Sequence, residues 1–280
     1  MTTLASDRSW RKRLDEIDTV VEDIRFPNVD DAESKIDQDE EWCEVLVDGE
    51  RRRLRFHDYS EVFKIPGLYE MLFYERLQCC SPSCVAHLLT DVASDFADSF
   101  SIEDLRVLDV GAGNGMVGDE LAHYGVEQVF GVDITPAARK ATQRDRPGVY
   151  DGYLVTDLTN LPEAHEEILR KQDFNCLTTV AALGYGDIPA AAFLKALDLI
   201  RVPGWLAFNI KDDFLREEDS SGFSKLIRQL SREELIQIQC YRRYQHRVSM
   251  TGEPLYYVAM IAQKLDELPG ELIEFWQQES

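Results

Sequence analysis

The chain has 280 residues, 44% hydrophobic and 29% charged, enough for one large α/β core or a core with an appendage. Its 52 acidic against 30 basic side chains leave a net charge of −22, which repels a phosphate backbone and argues against a nucleic-acid partner. No apolar run is long enough to span a bilayer, and no apolar stretch follows the first charges as in a secretory leader. A cytoplasmic location with no membrane partner is expected.

The first 40 residues are acidic. "RKRLDEIDTVVEDI" has a weak helical pattern, and "FPNVDDAESKIDQDEE" is polar enough to read as a loosely held arm or lid. In "WCEVLVDGERRRLRF", Asp48-Gly49 between two alternating runs predicts a β-hairpin. The arginines of residues 51–55, like those of "YRRYQHR" at 241–247, read as solvated strand faces. "HDYSEVFKIPGLYEMLFYERLQC" has a Pro-Gly break before an amphipathic helix too aromatic to be left in water. Of the six cysteines, three fall in "CCSPSC", but no second ligand pair exists, so free thiols and no metal are expected.

From residue 105 onward strands alternate with helices. "LRVLDV", "VEQVFGVD", "VYDGYLVTDL", "FNCLTTVAAL" and "GWLAFNI" read as strands. "MVGDELAHYG", "PAARKATQRD", "EAHEEILRKQ" and "AAAFLKALDLI" read as the helices between them. That rhythm predicts a parallel, doubly wound Rossmann-like sheet covered on both faces. After a helix around "FSKLIRQLSREEL", the runs "IQIQCYRRYQHRVS" and "LYYVAMIAQK" follow each other without a helix, which predicts an antiparallel hairpin at the sheet edge. The division expected is 1–104 as arm, hairpin and helical lid, and 105–280 as the sheet domain.

In such a sheet ligands bind beyond the strand ends, where the winding reverses. "VLDVGAGNGMVG" is the first strand-to-helix turn, Gly-rich so that backbone can approach a ligand. Two registers fit. Gly113-Asn114-Gly115-Met116-Val117-Gly118 matches the dinucleotide fingerprint with Asp133 downstream, which would make the chain a nicotinamide oxidoreductase. The alternative, Asp109-x-Gly111-x-Gly113-x-Gly115, sets Asp109 at the strand end instead of inside the strand, where an unpaired carboxylate is costly. The terminal hairpin and the lack of a Tyr-x-x-x-Lys pair favour the second register. Asp133 then stands where a carboxylate accepts from ribose hydroxyls, and Asp157 where it receives an adenine amino group.

"VLDVGAGNG", "VFGVDITP", "YLVTDL" and "DFNCLTTVAALGYGDIP" resemble, in order and spacing, the cofactor motifs of class I S-adenosylmethionine-dependent methyltransferases, over residues 105–264. The resemblance implies a seven-stranded sheet with its last strand antiparallel, S-adenosylmethionine as cofactor and S-adenosylhomocysteine as product. It places Gly111, Gly113, Asn114 and Gly115 along the methionine part and Asp109 near its amino group. It sets Asp133 on the ribose, Ile134 on the adenine face, Asp157 and Leu158 at the adenine edge, and Ala181 near the sulfonium. No Asn/Asp-Pro-Pro-Tyr tetrapeptide of the amino-methylating nucleic-acid enzymes is present, so a small-molecule acceptor is expected; the chain is expected to be a monomer or homodimer. A cofactor-binding protein without transfer activity is the alternative from outside enzymology. By location His57 and Asp187 are the candidate bases, and residues 57–79 the lid, with Tyr59, Tyr69 and Tyr74 its candidate contacts.

Overall fold

The computed structural model describes residues 9–27, 38–96, 101–183, 187–215 and 222–279. Helix α1 (Ser9–Glu16) leads into β1 (Val21–Arg25), which pairs antiparallel with β2 (Trp42–Val47), and β2 with β3 (Glu50–Arg55). The expected hairpin is there. Asp48 and Gly49 have φ of 51° and 76°, the left-handed pair that matches strand twist in a two-residue turn.

Part of the stretch read as helical is instead strand β1, whose register shift between Val21 and Asp23 lets Val21 and Ile24 both be buried beside β2. The residues ahead of the polar stretch are packed. Trp10, Val21 and Ile24 share one apolar cluster with Val45, Phe56 and Leu72. Residues 28–37, most of the polar stretch, lie outside the described residues. The arginines of β3 are solvated as expected: Arg51 pairs with Asp23 at 3.1 Å and Arg53 lies 3.7 Å over the Trp42 ring.

Beyond β3 come α2 (Tyr59–Val62), a π-helical stretch over Glu70–Arg76, and α3 (Ser81–Asp95). Helix α3 was not anticipated. Its Val85, Leu88, Leu89 and Val92 form a helical stripe that packs against the large sheet.

That sheet contains β4 (Arg106–Val110), β5 (Gln128–Asp133), β6 (Gly152–Val155), β7 (Cys176–Thr179), β8 (Gly204–Lys211), β9 (Ile236–Val248) and β10 (Pro254–Lys264). Interleaved are α4 (Met116–His123), α5 (Pro136–Asp145), α6 (Glu163–Arg170), α7 (Ala190–Asp198) and α8 (Phe223–Arg232), with α9 (Gly270–Glu279) last. The spatial order is β6-β5-β4-β7-β8-β10-β9, parallel except for β10, which runs antiparallel to β8 and β9. The seven-stranded α/β fold expected from the sequence is therefore present.

Alternation along the strands separates two apolar layers. Leu108, Leu206 and Phe208 face α7, α8 and α9, while Val107, Trp205 and Ile261 face α3 and α4. Winding reverses between β4 and β7, so their carboxyl ends frame the crevice of an open α/β sheet. Among the described residues no helix is long and apolar enough to cross a membrane, and no group of His, Cys, Asp or Glu is placed to hold a metal ion. All six cysteines are free thiols.

Candidate functional site

The turn after β4 is pressed between two other loops. Gly111 (φ 73°) lies so near the segment after β7 that a Cβ there would stand 2.8 Å from the Ala182 methyl. A Cβ on Gly113 (φ 54°) would stand 3.2 Å from the Phe63 ring of the lid. Only glycine meets both demands, left-handed backbone and no side chain.

Asp133, at the end of β5, holds this turn with both oxygens. Its Oδ2 accepts the Gly113 N–H at 2.9 Å and its Oδ1 the Thr135 N–H at 2.7 Å. Burial raises the Asp133 carboxyl above its ordinary value, and those N–H donors work against that rise.

The strand ends and the lid enclose a cleft of about 490 Å³, within the range of small-molecule sites. Gly111, Gly113, Asp133, Ile134, Asp157, Leu158, Ala181, Asp187, His57, Tyr59 and Tyr69 all line it. Ile134 is 62% exposed, an apolar side chain standing open at the cleft wall. Asp157 is exposed and also caps the next turn, its Oδ1 accepting the Thr159 N–H at 2.8 Å. His57 Nδ1 lies 3.4 Å from Asp187 Oδ2, so the two candidate bases form one pair across the lid.

Four expected residues stand elsewhere. Tyr74 is buried against Trp10, ring centroids 5.8 Å apart, in the lid's own apolar cluster. Gly115 caps α4, and Asn114 is buried, donating to Glu70 Oε1 at 2.7 Å. Asp109 does not reach the cleft. It is the next-to-last residue of β4, opposite Gly131 and Thr178, but 1% exposed. The cost that argued against this placement is offset by two hydroxyl donors, Tyr150 at 2.6 Å and Thr178 at 2.7 Å.

Burial nevertheless pushes the Asp109 carboxyl up to about 7, against those two hydrogen bonds. Between the ordinary carboxylate value and 7 the folded chain therefore keeps a proton that the unfolded chain has released. This contribution is full at low pH and is lost as pH rises from about 4 to 7, on the order of 4 kcal/mol. Asp109→Asn is expected to flatten that slope, with urea unfolding at pH 5 and pH 8 giving closer midpoints than in the wild type. Parallel slopes in the two proteins would assign the pH dependence to other groups.

Residues that the sequence reading passed over fix the loop after β7. Ala181 has a left-handed φ of 56°, a strained conformation for a residue with a Cβ. Its N–H donates to Asn209 Oδ1 at 2.6 Å, and Asn209 Nδ2 donates to Ser81 Oγ and Tyr244 OH. Ser81 in turn meets His246 Nδ1 at 2.6 Å, and burial holds this imidazole far below its ordinary value, hence neutral. Asn209, one amide in the otherwise apolar "GWLAFNI", was the available signal, since a wholly buried amide requires partners.

Residues 108–208 match the family described as "Methyltransferase domain". No curated protein matches the chain. Among solved structures it is similar to a candidate RNA methyltransferase from Pyrococcus horikoshii, 16% identical over 68% of this chain and 88% of that one, TM-score 0.47. It is also similar to magnesium protoporphyrin IX methyltransferase from Synechocystis PCC 6803 with bound S-adenosylmethionine, 17% identical over 64% and 79%, TM-score 0.42. A third is the ribosomal protein L11 methylase from Lactobacillus delbrueckii, 18% identical over 66% and 79%, TM-score 0.43.

Proposed function

We infer that this chain, which carries a class I S-adenosylmethionine-dependent methyltransferase domain, transfers the methyl group to a small-molecule acceptor. One observation carries the acceptor class. His57, Tyr59, Tyr69 and Asp187 are shared between the main cleft and an inner recess of about 30 Å³ walled by Phe73, Cys79, His246 and Tyr257. Space beyond the cofactor cleft is thus a recess of side-chain dimensions. A phosphate backbone would need a basic face, and among the described residues that line the cleft none is Lys or Arg.

The cleft fits the cofactor. The backbone of the turn at Gly111 and Gly113, which lines the cleft, would lie along the methionine part, and the Asp133 carboxylate would accept from ribose hydroxyls. Ile134 offers an apolar platform for the adenine, with Asp157 and Leu158 at its edge and Ala181 near the sulfonium. Asp109, Asn114 and Gly115 act through the turn, because they stand behind it. The cofactor supplies a methyl carbon already activated by the sulfonium.

The protein's task is to set an acceptor lone pair in line with that carbon, about 3 Å away. His57 is the base for an acceptor that must lose a proton. Asp187 orients the imidazole and stabilises the imidazolium. Incubating the protein and a cell extract with S-adenosylmethionine labelled in its methyl group tests the acceptor class. Label is expected in the small-metabolite fraction; label confined to RNA or protein would overturn it.

A further inference from the structure

We propose that Asn209 is a positioning residue for the cofactor, acting through the left-handed backbone of Ala181 to set how closely the loop after β7 approaches the glycine turn. The proposal rests on the methyltransferase reading above and adds to it a residue that touches no ligand. Asn209 is wholly buried on β8 and lines neither the cleft nor the recess. Ala181 and Ala182 line both.

Proton counting fixes which way the amide faces. The buried, neutral His246 accepts at Nδ1 from the Ser81 hydroxyl at 2.6 Å. The Tyr244 hydroxyl then donates to Ser81 Oγ, also at 2.6 Å, so both hydroxyl protons have acceptors. Each hydroxyl oxygen still has a lone pair to offer, and Asn209 Nδ2 gives one N–H to each, at 3.0 Å and 2.6 Å. The other end of the amide is thereby turned to Ala181, whose N–H donates to Oδ1 at 2.6 Å. A reversed amide would set two donors, Nδ2 and the Ala181 N–H, face to face. Residues of α3, β8 and β9 thus combine to aim a single oxygen.

That oxygen has a strained conformation to hold. A residue with a Cβ keeps a φ of 56° only where its surroundings over-determine it. The next residue shows what the strain achieves. The Ala182 methyl lies only 2.8 Å from where a Cβ on Gly111 would stand, so the loop is pressed against the turn that lines the cleft. If Ala181 relaxes to an ordinary φ, Ala182 moves relative to Gly111, and the cleft wall between the two loops changes shape.

The test is a double-substitution cycle, read by calorimetric titration of the full chain with S-adenosylhomocysteine. Asn209→Ala is expected to weaken binding about tenfold or more, because Ala181 is released from the left-handed region. In a chain already carrying Ala181→Gly, the same substitution is expected to cost less than about threefold, since glycine takes a left-handed φ without a fixed acceptor. An amide that only stabilises the fold would lower the urea midpoint and leave affinity unchanged, or cost the same factor in both backgrounds. Either result overturns the proposal. Should Asn209→Ala fail to fold, Ser81→Ala replaces it, as it removes one of the two acceptors of Nδ2 and leaves the amide in place. A loss of about threefold that Ala181→Gly abolishes is then expected. Unchanged affinity in Ser81→Ala, or the same loss in both backgrounds, overturns the proposal. A wild type that does not bind S-adenosylhomocysteine defeats the methyltransferase reading itself, a result distinguishable from all of these.

Discussion

Glu70→Ala is expected to cost about 3–5 kcal/mol of stability, because it strands a charge in the interior. Glu70 stands on the π-helical stretch of the lid, and its side chain, like that of Arg146 at the end of α5, is 0% exposed. One oxygen, Oε1, accepts from Arg146 Nη1 at 2.7 Å and from Asn114 Nδ2 at 2.7 Å. Without it the guanidinium keeps only the Asn114 carbonyl at 3.3 Å, the Met116 sulfur and Asp119 at 3.7 Å. The pair is also the fastening of the site. It joins the lid, the glycine turn and α5 at one point, so the variant should loosen the lid as well as lower the denaturation midpoint. Converting both partners to methionine should recover much of the loss, since two matched apolar groups leave no orphan charge. A cost below about 1 kcal/mol for Glu70→Ala would mean that water reaches Arg146 and the fastening is weak.

Asp133→Ala is the second large effect, and it falls on binding. The carboxylate is proposed to accept from both ribose hydroxyls, and bonds to an ionised acceptor outweigh neutral ones. Affinity for S-adenosylhomocysteine should fall by about tenfold to a hundredfold, on the order of 1.5–3 kcal/mol. The structure adds a second route to the same loss. Both oxygens hold backbone N–H groups, of Gly113 and Thr135, so the variant also frees the turn that the cofactor lies against. Asp133→Asn keeps one acceptor oxygen and should fall between wild type and alanine. Full affinity in Asp133→Ala would show that this acid only braces the turn.

What could be read from the sequence was what neighbouring residues decide. The Asp48-Gly49 turn, the glycines after β4 and the alternation of strands and helices each follow from local conformational preference. What escaped depended on partners distant in the chain. Strand β1 is too short to announce itself and exists because β2 offers it an edge. Asp109 does stand near the strand end, but its burial escaped, because Tyr150 and Thr178 satisfy it and no local pattern ties them to it. The Glu70, Asn114 and Arg146 contacts were invisible for the same reason. Helix α3 differs, because its stripe of Val85, Leu88, Leu89 and Val92 was legible in the sequence. His57 and Asp187 were named separately, and only folding brings them within 3.4 Å.

The central claim is that the turn at Gly111 and Gly113, with Asp133 behind it, holds S-adenosylmethionine and not a dinucleotide. Calorimetric titration of the purified chain with S-adenosylhomocysteine and, separately, with NADP⁺ tests it most directly. The account predicts one S-adenosylhomocysteine per chain with a dissociation constant on the order of micromolar, about −8 kcal/mol, and no measurable heat with NADP⁺. Saturable NADP⁺ binding with none for S-adenosylhomocysteine would contradict it.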